Sequence, residues 1–214
     1  MIKNIFFDFD GVLAESVNVK TEAFRQLYLP FGKEISDKVV AHHLANGGVS
    51  RFEKVKLYHK NWLNEELDEQ GVQEWANKFS DLVLKGVVEA DEVKGAEEFL
   101  RNDSSKYNCW IITGTPTDEI KIILERRNWA GYFKEAFGSP NKKPHWTEHI
   151  IGQEGLNREE TVFIGDALAD YEAAQHSKLH YILRETEDNK VLFEDFDGPR
   201  IQDMSQLEEV LQKM

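Results

Sequence analysis

Asp8 and Asp10 flank Phe9 at the end of an apolar run over residues 2–9, and Gly11 follows them. Residues two apart on a strand point to the same side. The two carboxylates therefore repel, and burying either one calls for a proton or a cation. Other apolar runs end in similar chemistry: one in Thr113-Gly114-Thr115, another in Gly165-Asp166, with Asp170 four residues on. A short segment near Phe137 leads to Lys142-Lys143-Pro144. Each feature alone has an ordinary explanation, since Asp and Thr cap helices and lysine pairs are common on solvated surfaces. The set is more specific. Asp8, Asp10 and Asp166 bring three carboxylates to one rim, a set of hard oxygen donors suited to Mg²⁺. A threonine hydroxyl, adjacent N–H groups and a lysine suit the non-bridging oxygens of a phosphoryl group. Together they describe phosphoryl transfer.

The elements that position these residues follow from the apolar pattern. Residues 2–9 read as a strand buried on both faces of a parallel sheet. Further strands are predicted over 107–113, 161–165 and 179–183, with helices over 94–101, 117–127, 145–153, 168–176 and 204–214. This alternation implies an α/β fold, a Rossmann-like parallel sheet with helices on both faces. Ligands of such sheets bind beyond the carboxyl ends of the strands, where the residues above fall. Residues 16–88 break the alternation, with helical stripes through Phe24, Leu27 and Tyr28, through Phe52, Val55 and the Leu57–Tyr58 pair, and through Trp75, Phe79, Leu82 and Val83. Gly71 and Asn46-Gly47-Gly48 are expected breaks between helices. The expected division is a core of residues 1–14 and 91–214 with a small all-helical cap, residues 15–90, inserted after the first strand. Residues 185–199 form a polar, acidic connection.

Composition narrows the partners. The 214 residues are 41% hydrophobic and 11% aromatic, enough for a packed core. With 26 Lys and Arg against 39 Asp and Glu, the net charge is −13, which argues against nucleic acid or an anionic membrane as partner. No stretch reaches the roughly 20 apolar residues of a membrane span, and the N-terminal run meets Asp8 too early for a signal peptide. The expected setting is cytoplasmic, with a monomer as the plausible state. The single cysteine, Cys109, excludes an internal disulfide and reads as a buried, inert thiol.

Four motifs in this order resemble the haloacid dehalogenase-like (HAD) superfamily, and its phosphatase branch with a C1-type cap in particular. They are Asp8-Phe9-Asp10-Gly11-Val12-Leu13, Ile111-Ile112-Thr113-Gly114, Lys143-Pro144, and Gly165-Asp166 with Asp170. The resemblance implies that Asp8 is the nucleophile and forms an aspartyl-phosphate. Asp10 is implied as the acid that protonates the leaving oxygen and the base that then activates water. Gly11 lets the chain turn close to the site. Mg²⁺ is implied on Asp8, the Asp10 main-chain carbonyl and Asp166. Thr113, the Gly114 N–H and Lys143 are implied on the phosphoryl oxygens. Asp170 is implied to orient Lys143 or a metal-bound water, with direct ligation a second option. Lys142 competes with Lys143, which the resemblance favours because the family commonly places a proline after its lysine, as Pro144 does here.

Specificity falls to the cap. Asn46 either presents its amide to the core or ends a helix. Arg51 and Lys54 share a helix face, either offering positive charge to an anionic substrate or lying on a solvated surface. His42 and His43 read as packing residues, and Ser16 as a helix cap near the hinge. The expected substrate is a small phosphorylated metabolite, with sugar phosphates among the candidates. A phosphomutase of the β-phosphoglucomutase type, or a non-catalytic phosphate-binding protein on the same fold, are the alternatives.

Overall fold

The structure is a computed structural model and describes residues 1–214. The sheet has six parallel strands: β1 (Asn4–Phe7), β2 (Asn108–Pro116), β3 (Glu135–Ser139), β4 (Thr161–Gly165), β5 (His180–Arg184) and β6 (Arg200–Ile201). Their order is β3-β2-β1-β4-β5-β6. Helices α1 (Val17–Tyr28), α2 (Lys33–Ala45), α3 (Arg51–Tyr58) and α4 (Glu69–Glu89) lie between β1 and β2. The remainder are α5 (Ala96–Asn102), α6 (Thr117–Arg126), α7 (Lys143–Glu154), α8 (Leu168–His176) and α9 (Leu207–Gln212).

The run Asn4–Phe7 is continuously apolar after Asn4 because β1 sits between β2 and β4 and is buried throughout. Ile5 and Phe7 pack with Phe99, Ile111 and Ile164 on the face covered by α5, α6 and α9. Phe6 packs with Trp110, Ile112 and Phe163 on the face covered by α7 and α8. Complete burial of Phe6 and Phe7 stabilises the fold by about 1.5–3 kcal/mol each. This central placement brings the carboxyl end of β1 between the ends of β2 and β4. Cys109 lies in the core, and burial pushes its thiol up to about 12.

In the helical insertion the stripe on α4 runs through Val72, Ala76, Phe79, Val83 and Val87. Leu82, expected on it, lies off that stripe and is 43% exposed. Gly71 falls in the first turn of α4, where its N–H is capped by Asp68, so the break precedes it. The connections into and out of the insertion run side by side, with Glu15 N donating to Asp91 O and Val93 N to Leu13 O, both at 2.9 Å. The 3₁₀ turn Met204–Gln206 shortens the expected C-terminal helix to Leu207–Gln212, and the two-residue β6 precedes it. No helix is long and apolar enough to cross a membrane.

Candidate active site

Asp8 continues β1, its N–H donating to Ile164 O at 2.9 Å, and its carboxylate is buried at the sheet's carboxyl edge. The chain then turns tightly, with the N–H groups of Leu13 and Ala14 both reaching Phe9 O. Gly11 takes φ +76° in this turn, and a Cβ there would lie 2.2 Å from Asp166 Oδ2. Any side chain at this position would displace the carboxylate. Thr113 is buried at the end of β2. At Gly114 a Cβ would meet Gly48 O at 2.5 Å, so glycine admits the Gly47-Gly48 turn of the insertion directly over the strand end.

Lys143, the first residue of α7, is buried with Nζ 2.9 Å from Asp8 Oδ1 and 2.5 Å from Asp170 Oδ1. Burial works against its charge, but Asp170 and Asp8 outweigh it and keep the lysine protonated. Lys142 points away, is largely exposed and pairs with Glu53 at 3.2 Å. The geometry thus puts Lys143, not Lys142, at the site. Asp170 also accepts from Ala167 N at 3.1 Å. Burial and the nearby Asp8 push its carboxyl up to about 7, against the pull of Lys143. Asp166 is raised well above the ordinary carboxylate range by burial, then Asp8 and Asp170.

The donor set fits a cation. Carboxylate oxygens of Asp8, Asp166 and Asp170 all lie within 4.8 Å of one another. Asp8 Oδ1 is buried with the Lys143 ammonium 2.9 Å away. Three hard carboxylates that repel one another, more than that one ammonium offsets, are what a divalent cation would neutralise.

Asp10 sits in a separate network that the sequence did not suggest. Ser16 Oγ donates to Asp10 Oδ1 at 2.6 Å, Lys20 Nζ pairs with Oδ2, and Thr115 Oγ1 donates to Oδ2 at 3.2 Å. Burial raises the carboxyl, but Lys20, with the bonds from Ser16 and Thr115, holds it below the usual range. Ser16 precedes α1 as expected for a cap, yet makes no capping bond, because its hydroxyl faces Asp10. The signal available for Lys20 was its spacing four residues after Ser16, which places both on one face of α1.

The insertion residues part company. Asn46 does not line the cavity; its amide donates to His42 O at 2.9 Å and closes α2. Arg51 reaches the cavity wall but is buried in a bidentate pair with Glu119 of α6, at 2.6 and 2.8 Å. Ser80 of α4 bonds both partners, at 2.5 Å to Arg51 and 2.6 Å to Glu119. The guanidinium also lies over Phe79, 4.6 Å from the ring centroid. This network fastens α3 and α4 to α6. Glu119→Gln is expected to destabilise the fold by about 3–5 kcal/mol in urea denaturation, because it strands a buried cation. Arg51→Met/Glu119→Leu together should cost less than Glu119→Gln alone. Equal stability of all variants would show that the pair carries no such weight.

Asp8, Asp10, Thr113, Gly114, Arg51 and Asp166 all line one cavity of about 550 Å³, between the sheet's edge and the insertion. The model of the haloacid dehalogenase-like hydrolases matches residues 2–178. The chain belongs to that family. It is a hydrolase of the phosphatase branch. A phosphoglycolate phosphatase of Photorhabdus laumondii is 30% identical over 182 residues, which are 81% of this chain and 76% of the relative. Two solved structures share the fold of this HAD-like chain. A β-phosphoglucomutase of Clostridium difficile aligns with a TM-score of 0.74 at 16% identity, over 100% of this chain and 98% of its own. A HAD-type hydrolase of Bacillus subtilis, solved with magnesium and showing interdomain movement, aligns at 0.71 and 17% identity, over 99% of each chain.

Proposed function

We propose that this protein is a Mg²⁺-dependent phosphatase of a small phosphomonoester, working through an aspartyl-phosphate on Asp8. The observation that carries the reading is the convergence of Asp8, Asp10, Thr113 and Asp166 on one cavity, with Lys143 beside Asp8. Asp8 attacks phosphorus and the ester oxygen leaves. Thr113 Oγ, the Gly114 N–H and Lys143 hold the non-bridging oxygens as charge moves onto them. Asp10 delivers a proton to the leaving oxygen and later takes one from the water that cleaves the intermediate. Lys20 keeps Asp10 ionised in the substrate-free protein, the form suited to the second step; an arriving phosphoryl dianion favours the proton needed for the first. Asp170 orients Lys143. Mg²⁺, on Asp8, the Asp10 carbonyl and Asp166, would neutralise the attacking carboxylate.

We also read residues 15–90 as the cap and residues 1–14 with 91–214 as the core, supported by the paired connections at Glu15–Asp91 and Leu13–Val93. The reading is tested by phosphate release from a panel of phosphomonoesters, with Mg²⁺ and with chelator. Mg²⁺-dependent release is expected. A folded, Mg²⁺-loaded protein that releases none would sink the phosphatase reading and turn attention to phosphoryl transfer between hydroxyls, tested with a bisphosphate activator.

The acidic cluster also predicts a pH signature. Folding raises the Asp170 carboxyl from 3.8 to about 7, so the folded state binds more protons across that window. Stability from this group is therefore lost as pH rises through it. A bound cation has the opposite requirement, because it needs the carboxylates deprotonated. The gap in Tm between Mg²⁺ and chelator should widen from about pH 5 to about pH 8. A gap independent of pH would contradict a cation at this cluster.

A further inference from the structure

The cations around the cavity differ in one respect that bears on the substrate. Lys20 pairs with Asp10, Arg25 with Glu22 and Asp37, Arg51 with Glu119, and Arg184 with Glu15. Lys54 lines the same cavity, is only 2% exposed, and has no carboxylate within ion-pair distance. Its one hydrogen-bond partner is His43 Nδ1 at 2.9 Å, and the centroid of the Phe24 ring lies 5.8 Å from the ammonium. His43 is itself buried and also lines the cavity. Burial, then the adjacent Lys54, drives its imidazole down to about 2, so the ring is neutral. With Nδ1 accepting from Lys54, the proton sits on Nε2, which is buried without a partner.

A buried ammonium with no counter-charge is costly to maintain. Burial, then Lys20, brings Lys54 down to about 7, so it gains a full charge readily when an anion arrives. Lys143 is already committed to Asp8 and Asp170, beside the place of the transferring phosphoryl group. Lys54 is therefore surplus to that group and sits on the insertion side of the same cavity.

We propose that Lys54, backed by His43, receives a second anionic group of the substrate, so that the ester is a small phosphorylated carboxylate or a bisphosphate rather than an ester whose only charge is its phosphate. This rests on the phosphatase reading for the position of the first phosphate. A cavity of about 550 Å³ accommodates such a molecule whole. Arg51, which shares a helix face with Lys54, is already neutralised by Glu119.

The test is calorimetric binding to the full chain carrying Asp8→Asn, loaded with Mg²⁺, with and without Lys54→Met. The probes are 2-hydroxyethyl phosphate, 2-phosphoglycolate and ethylene glycol bisphosphate, which share a skeleton and differ in the second group. One of the doubly anionic esters is expected to bind about 30-fold or more tightly than 2-hydroxyethyl phosphate, and Lys54→Met to collapse that ratio at least about tenfold. Whichever ester shows the ratio identifies the group as carboxylate or phosphate. Without ligand, Lys54→Met should melt at the same temperature as its parent or higher, since it removes an unpaired buried charge; a structural role would lower it. Lys54→Gln serves as the second variant. A ratio near one, a ratio that survives both substitutions, or no binding of either doubly anionic ester overturns the proposal. A Lys54-dependent ratio together with no phosphate release from any ester by the unmodified protein would remove the phosphatase reading and leave the subsite standing.

Discussion

Asp8→Asn is expected to lower phosphate release by about 10⁴-fold or more, measured as initial rates with saturating Mg²⁺. The substitution keeps the shape of a side chain that is 3% exposed and packed at the end of β1, so the fold should persist. What it removes is a nucleophilic oxygen, and an amide does not replace it. The same variant should melt at a higher temperature than the unmodified protein in chelator. One of three mutually repelling carboxylates within 4.8 Å of one another has lost its charge. Higher thermal stability with lost turnover is the pattern of a residue placed for chemistry at the expense of stability. Turnover within about tenfold of the unmodified protein would remove Asp8 from its assigned role.

The second large effect is at Lys143. Lys143→Met takes a buried cation from between Asp8 and Asp170 and leaves those two carboxylates without the charge that offsets them. Stability in chelator should fall by about 3–5 kcal/mol, the usual cost of stranding buried charge. Turnover should fall by about 10²–10³-fold, since a donor to the transferring phosphoryl group is gone. Adding Asp170→Asn should restore part of the stability, because it removes a carboxylate that Lys143 neutralised, yet restore none of the turnover. Urea denaturation and initial rates on the same preparations separate the two. Joint recovery of stability and rate in the double variant would mean that Lys143 acts only through the fold.

The residues legible in the sequence are those whose placement is local. Asp8, Thr113 and Asp166 close apolar runs, and a parallel sheet delivers strand ends to one edge whatever the connections do. Lys143 was legible only through the resemblance, whose motif places a proline directly after the lysine, as Pro144 stands here. Lys20 was not, because its role depends on the direction in which α1 leaves the turn at Gly11. The fate of Arg51 depended on Glu119, 68 residues away on another helix. Neither reading of Arg51 placed it in a buried pair with another helix, and only the packing of α3 against α6 shows that partner. Lys54 shared that uncertainty, and the structure separates the two by leaving Lys54 without a counter-charge. Asn46 illustrates the local alternative prevailing: its amide closes its own helix. Strand β6 has two residues and no apolar run of its own, so nothing in the pattern announced it.

The claim that Asp8 becomes phosphorylated has a direct measurement. The Mg²⁺-loaded protein is mixed with its best ester, quenched in acid within the first turnover, reduced with borohydride, and digested for mass spectrometry. Reduction converts an aspartyl-phosphate to homoserine, and the account predicts homoserine at position 8, absent without substrate and in Asp8→Asn. An unmodified Asp8 during active turnover, with phosphate released, would contradict it and place the attack on phosphorus with water rather than with the chain.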